Sequence, residues 1–272
     1  MPDPEPAQRT VEEKAQRAGS FGNNAAHYDR YRPGPSADAV AWILPTGAGR
    51  VVDLGAGTGG LSRLLVDRVV EVIAVEPDDR MRAVLAEELP TVDARAGRGD
   101  AMPVEDHSVD AVIASSSWHW MDVVPTLGEM ARILVPGGTL GAVWSGPDPD
   151  GALVEQARSM LGGERGGESL GDGFDEFIST DASRPFSTLE IPDGLPFGEP
   201  EHETFIWNTA LTADELIGLL GTFSWMLLMD DARRSGLLDQ ARQLLADVMG
   251  VEGDATVDMQ FRADAYRTRL LD

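Results

Sequence analysis

An α/β fold, in which a mostly parallel sheet carries helices on both faces, is the architecture this 272-residue sequence predicts. Three observations predict it. From Arg50 to Trp144, β-branched runs alternate with helical patterns, the order that βαβ units produce. At Val51-Val52-Asp53-Leu54-Gly55-Ala56-Gly57-Thr58-Gly59-Gly60 a strand runs into a glycine turn, and Leu61, Leu64 and Leu65 then recur at helix spacing. Asp53, Glu76, Asp100 and Ser115 all fall at or just beyond the carboxyl ends of predicted strands, where open parallel sheets place their ligands.

Taken in order, residues 1–20 are polar and proline-bearing and predict a loose arm. Phe21, Tyr28 and Tyr31 lie along one side of a short helix that stops before Pro33. Ser36 caps a second helix, Ala37 to Leu44, closed by Pro45 and Gly47. Strands follow at Val51 to Leu54 and at Val69 to Val75, the second ending in Glu76-Pro77. A helix from Asp78 to Leu89 presents Met81, Val84, Leu85 and Leu89 as its apolar face. A short strand near Val92 to Ala96 leads to Gly99-Asp100-Ala101, and Val109 to Ser115 is the fourth strand. A helix from Val123 to Leu134 stops at Val135-Pro136-Gly137-Gly138 before a fifth strand, Thr139 to Trp144.

Residues 145–200 read as a loop-rich insertion with one helix at Leu153 to Leu161. His202 to Thr209 alternates as a strand does, and Thr212 with Glu215 forms a capping-box pattern. Leu237, Leu238, Ala241, Leu244, Leu245, Val248 and Met249 trace one face of a long helix. Ala255 to Ala265 alternates again and predicts antiparallel pairing with the 202–209 strand.

Formal net charge is −24, which disfavours nucleic acid and anionic membrane surfaces, because both are held through cationic contacts. No apolar run is long enough to span a bilayer and no secretory segment is visible, so a cytoplasmic protein is expected. Cysteine is absent, which removes disulfides and thiolate chemistry. No His or acid pair has a recognisable ligand spacing, so no metal is expected. The aromatic C-terminal half suggests a homodimer interface.

Gly55, Gly57 and Gly60 satisfy the dinucleotide fingerprint, with an acid about 20 residues on. Asp53 separates the possible ligands. A carboxylate about 4 Å from a phosphate charge is repelled by roughly 4 kcal/mol at an effective dielectric near 20. S-adenosylmethionine carries an ammonium and a sulfonium and no phosphate, so beside that ligand the sign reverses.

These residues also resemble a known family, the class I S-adenosylmethionine-dependent methyltransferases, in the small-molecule group related to trans-aconitate methyltransferases. VVDLGAGTGG is similar to the family's first motif, VIAVEPDDRM to its acidic second-strand motif and AGRGDAMP to its third. VDAVIASSSWHWMD with EMARILVPGGTL is similar to its fourth strand, following helix and fifth strand. The resemblance runs from about Phe21 to the C-terminus. It implies a Rossmann-like seven-stranded sheet with an antiparallel C-terminal strand in a single domain. Residues 21–49 would be lid helices, 50–145 the cofactor half, 146–200 an insertion shaping the substrate pocket, and 201–272 the part completing the sheet.

By that resemblance Asp53, Gly55, Ala56 and Gly57 would hold the methionine part of S-adenosylmethionine, and Glu76 would accept hydrogen bonds from both ribose hydroxyls. Pro77, Asp78 and Met81 would flank ribose and adenine. Gly99, Asp100 and the Ala101 backbone would read the adenine edge, Ser115 would lie beneath the sulfonium, and Tyr28, Tyr31 and Arg32 would form a lid. His119, just past the fourth strand, is the candidate general base, since its imidazole titrates near neutrality. Trp118, Trp120, Trp207, Phe223, Trp225 and His27 are candidates for the wall of a small-molecule acceptor pocket, although aromatics also serve as plain core. O-methylation of a metabolite or natural product is the leading reading. N- or C-methylation, a dinucleotide oxidoreductase and a non-catalytic cofactor-binding protein stay open.

Overall fold

The structure is a computed structural model and describes residues 22, 25–155, 185–227, 229–249 and 253–271. Within these, one sheet is built from β1 (Arg50–Leu54), β2 (Glu71–Val75), β3 (Asp93–Arg95), β4 (Val109–Ser115), β5 (Leu134–Pro147), β6 (Glu201–Thr212) and β7 (Thr256–Arg269). Their order across the sheet is β3-β2-β1-β4-β5-β7-β6. The first five strands run parallel, and β7 pairs antiparallel with both β5 and β6. The described helices are α1 (Ala25–Tyr31), α2 (Ala37–Ile43), α3 (Ser62–Leu65), α4 (Asp79–Glu88), α5 (Val123–Ile133), α6 (Ala213–Leu220), α7 (Ser224–Leu227) and α8 (Asp231–Met249).

Side chains that alternate along each strand divide the core in two. Val52, Leu54, Val112, Ala114 and Trp144 pack on one face with Leu127, Met130 and Ile133 of α5. Val51, Ala111, Ile113 and Val143 pack on the other with Ala39, Val40 and Ile43 of α2, Leu65 of α3 and Leu85 of α4. Sheet order reverses between β1 and β4, so their carboxyl ends open a crevice.

Most predicted elements stand where the periodicity put them, and the departures are at ends. The second strand begins at Glu71 rather than Val69, because Val69 and Val70 form the turn before it and Val70 is 93% exposed. The fifth strand starts directly after α5 at Leu134 and takes in the Pro-Gly-Gly segment, with Gly137 at a φ of +72°. The 202–209 strand extends to Glu201–Thr212, and the last strand, expected over 255–265, reaches Arg269. It pairs with β6 as expected and also joins β6 to the parallel half. The capping box is present at the start of α6. Phe21 and most of the helix expected at 153–161 lie outside the described residues.

Charge is also buried away from the crevice, on β7. Asp264 of β7 is fully buried and accepts hydrogen bonds from Thr204 Oγ1 at 3.0 Å and the Phe186 amide at 2.8 Å. Arg262, itself 7% exposed, meets Asp264 at 3.1 Å. Taking one partner from a buried pair leaves the other's charge uncompensated. Asp264→Ala is therefore expected to lower the unfolding free energy by about 3–5 kcal/mol in a denaturant titration.

Candidate active site

A cavity of about 860 Å³ lies over the carboxyl ends of β1, β2, β4 and β5 and the loop after β3. Its wall is the crevice that the strand order predicts. Asp53, Gly55, Ala56, Gly57, Glu76, Pro77, Asp78, Met81, Gly99, Asp100 and Ser115 all lie on it, as do Tyr28, Arg32 and Trp120.

The glycine turn after β1 is shaped by close approach. Gly55 has a φ of +68°, and a Cβ there would stand 2.6 Å from Ser117 Cβ. Ser117, buried at the end of β4, donates its hydroxyl to Leu54 O at 2.7 Å and so ties the two loops together. The turn's amides are occupied internally. Gly55 N–H and Ala56 N–H donate to Val75 O at 2.8 and 3.2 Å, and Gly57 N–H donates to Glu76 Oε2 at 2.9 Å. The resemblance implied that Gly55 and Gly57 hold the methionine part of the donor. Their amides have no donor to spare, and what the glycines give is room. A pyrophosphate laid on this part of the turn would find the Gly55, Ala56 and Gly57 N–H groups already meeting a carbonyl and a carboxylate.

Asp53 is fully buried at the end of β1 and accepts Ser62 Oγ–H at 2.7 Å through Oδ2. Its Oδ1 faces no hydrogen-bond partner among the described residues. Burial pushes its carboxyl up from the ordinary 3.8 to about 7, with the Ser62 donors working against that rise. The full negative charge expected at this position is thus only partly present near neutrality, a correction that follows from desolvation. Glu76, 7% exposed, is likewise held above its ordinary carboxyl range by burial, while its two oxygens take the Gly57 and Asp78 amides.

Farther along the wall, Asp78 caps α4 and pairs with Arg80 at 2.6 Å, which holds its carboxyl below the usual range. Asp100 is bridged by two Arg98 nitrogens, each at 2.9 Å. Ala101 falls outside the cavity wall, and its amide donates to Arg98 O at 3.1 Å, so the expected backbone reading of an adenine edge lacks its donor. Thr126, not foreseen from sequence, is fully buried among the wall residues, and its Oγ1 has no hydrogen-bond partner among the described residues.

The N-terminal segment splits. Tyr28 and Arg32 reach the wall, whereas Tyr31 and His27 face α6. A Cβ at Gly218 would stand 2.3 Å from the Tyr31 ring, and His27 Nε2 lies 3.1 Å from Gly218 O. Asp29 ties α1 to α3 through Arg63 at 2.8 Å, and Arg32 lies over the Phe223 ring at 4.7 Å.

His119 is corrected more strongly. It sits in a 3₁₀ turn, Trp118–Trp120, exposed and outside the cavity wall, with Trp144 Nε1–H donating to its Nδ1 at 3.3 Å. The tautomer that accepts there keeps its proton on Nε2 and has no second lone pair for a substrate proton. Among the described side chains of the aromatics expected on the acceptor wall, only Trp120 lies there. Trp118 is core, Trp207 stacks on Phe261 at 5.5 Å, and Phe223 packs against a cluster that includes Leu216, Ile217 and Leu219 of α6. The Trp225 side chain lies outside the described residues. No cluster of three or more His, Cys, Asp or Glu suited to a metal ion occurs among the described residues, and no described helix is long and apolar enough to cross a membrane.

The family model described as a methyltransferase domain matches residues 52–142. An uncharacterized methyltransferase of Mycobacterium tuberculosis is 36% identical over 227 residues, covering 84% of this chain and 86% of its own. The chain belongs to the methyltransferases. A solved structure from Anaeromyxobacter dehalogenans, described as a candidate type II methyltransferase, shares the fold at a TM-score of 0.58 and 23% identity, over 89% of this chain and 99% of that one. Phosphoethanolamine N-methyltransferase 2 of Haemonchus contortus, solved with phosphomonomethylethanolamine and S-adenosylhomocysteine, shares it at 0.51 and 17%, over 99% and 62%. The donor expected from the sequence, S-adenosylmethionine, is cationic, and the buried, unpartnered oxygen of Asp53 would suit a cation at this end of the cavity.

The raised Asp53 carboxyl has a sign that can be checked. Its folded value, about 7, exceeds the ordinary 3.8, so the folded chain holds the proton more tightly. Stability from this group is present at acidic pH and is lost as pH rises toward about 7. The ligand-free Tm is expected to fall between pH 5 and 8. Asp53→Asn should flatten that slope and raise the Tm at pH 8, as scanning calorimetry would show.

Proposed function

We propose that this methyltransferase transfers the methyl group to an oxygen atom of a small molecule. The unpartnered, buried Oδ1 of Asp53 at the glycine turn supports the donor half of this reading, and the neutral hydroxyls of Ser115 and Ser116 on the cavity wall support the oxygen acceptor. A cationic ammonium there would satisfy the oxygen and draw the carboxyl back to its ionised form. S-adenosylmethionine supplies a methyl carbon already activated by its sulfonium and leaves as S-adenosylhomocysteine.

The chain's own groups then bind and orient. Each oxygen of Glu76 accepts one amide and keeps capacity for a ribose hydroxyl. Pro77 and Met81 supply apolar wall beside it, and the unpartnered Thr126 hydroxyl offers a polar contact to the base. Tyr28 and Arg32 cover the cavity from α1 and its following loop. Ser115 and Ser116 face the cavity past β4 with neutral hydroxyls, which match an oxygen acceptor by mutual hydrogen bonding. Alignment of a hydroxyl oxygen with the methyl carbon supplies much of the rate: the O–CH3 bond forms as the S–CH3 bond breaks, and the hydroxyl proton passes to solvent water, so no imidazole on the wall is required. A cavity of about 860 Å³ lies near the top of the small-molecule range and has room for donor and acceptor together.

Titration calorimetry tests the donor half. S-adenosylmethionine should bind more tightly at pH 8 than at pH 6, NAD should not compete, and Asp53→Ala should weaken the binding at least tenfold. Methyl-labelled donor incubated with hydroxyl, amine and carbon nucleophiles tests the acceptor half. Label is expected in the hydroxyl compounds, and label confined to amines would overturn the oxygen assignment.

A further inference from the structure

The rule that placed Asp53, Glu76, Asp100 and Ser115 at strand ends has a further member on β5. Asp53 is in register with Ile113, and Ser115 with Val143. Side chains two apart on a strand share a face, so Asp53, Ser115 and Ser145 all project to one side of the sheet. Ser145 lies two strands beyond Asp53, past β4, on the side away from Glu76 and Asp100. It is on the cavity wall, its Oγ is buried, and that oxygen has no hydrogen-bond partner among the described residues. A buried hydroxyl left unpaired costs about 1–3 kcal/mol, and a site that orders one in this way is completed by what binds there.

Resting on the methyltransferase reading above, we propose that Ser145 holds the methyl acceptor through its hydroxyl, and that the acceptor is a neutral, planar, hydroxyl-bearing molecule. The wall past β4 is uncharged in Ser115, Ser116 and Ser145 and aromatic in Trp120. Charge elsewhere on the wall opposes an anion. Arg63 is paired with Asp29 at 2.8 Å and Arg98 with Asp100 at 2.9 Å, while Arg32 is engaged by the Phe223 ring and Thr222. Asp122 adds a carboxylate on the same wall. The sequence singled out neither Ser145 nor a charge class for the acceptor, and His119, which it did single out, lies outside the wall.

Phenol is the probe for the test, measured by ligand-observed NMR on the protein saturated with S-adenosylhomocysteine. Wild type should bind phenol in preference to benzoate. Ser145→Ala should weaken phenol about fivefold or more, the loss of one hydrogen bond. Ser145→Thr, which keeps the hydroxyl, should restore phenol binding, with the affinity for S-adenosylhomocysteine unchanged in both variants. Phenol that fails to bind wild type, displaces S-adenosylhomocysteine, or binds Ser145→Ala equally well overturns the Ser145 assignment. Benzoate binding as tightly as phenol overturns the neutral class. A wild type that does not bind S-adenosylhomocysteine fails at the underlying donor reading and takes the inference with it.

Discussion

Burial of two carboxylates at adjacent strand ends is the constraint around which the crevice is arranged. Asp53 and Glu76 stand on β1 and just past β2, each nearly or fully removed from water and each held above its ordinary carboxyl range. Desolvation of an ionised group is costly unless its lone pairs are met. The glycine turn meets part of the need by giving its Gly57 amide to Glu76, and Ser62 meets another part at Asp53. One oxygen of Asp53 is left over, on a residue that lines the cavity. The turn conformation, the pairing of its amides and the preference for a cationic ligand are consequences of one electrostatic debt.

The fold was legible because its parallel half is written in local pattern. Runs such as Val109–Ser115 and the helix Val123–Ile133 carry periods that differ enough to be told apart. The ends were harder. Val69 and Val70 are as β-branched as the strand they precede, yet Val70 is exposed in a turn, and nothing in its own chemistry says so. The insertion of β7 between β5 and β6 is a matter of long-range pairing, and alternation at 255–265 fixes a strand but not both of its neighbours.

The site was legible where a residue's role follows from its place at a strand end. Asp53, Glu76, Asp100 and Ser115 reach the wall for that reason, and the same reasoning carried to β5 would have found Ser145. Roles that depend on which donor a group has already used were not legible. The Ala101 amide and the His119 ring nitrogen are each engaged by a partner, Arg98 O and Trp144, whose proximity no spacing rule encodes. Aromatic residues misled for a related reason. Trp118, Trp207 and Phe223 are apolar enough for either a pocket or a core, and packing decided for the core.

The position of β7 has a consequence for how the molecule is made. It is the last strand in sequence, yet it lies inside the sheet, with twelve residues of β6 depending on it for backbone partners. Until a nascent chain has emerged past Arg269, β6 has no neighbour to zip against, and the hydrogen-bonding edge of β5 is bare. The parallel half can condense during translation, whereas the outer third of the sheet must wait, with two sticky borders open to other chains.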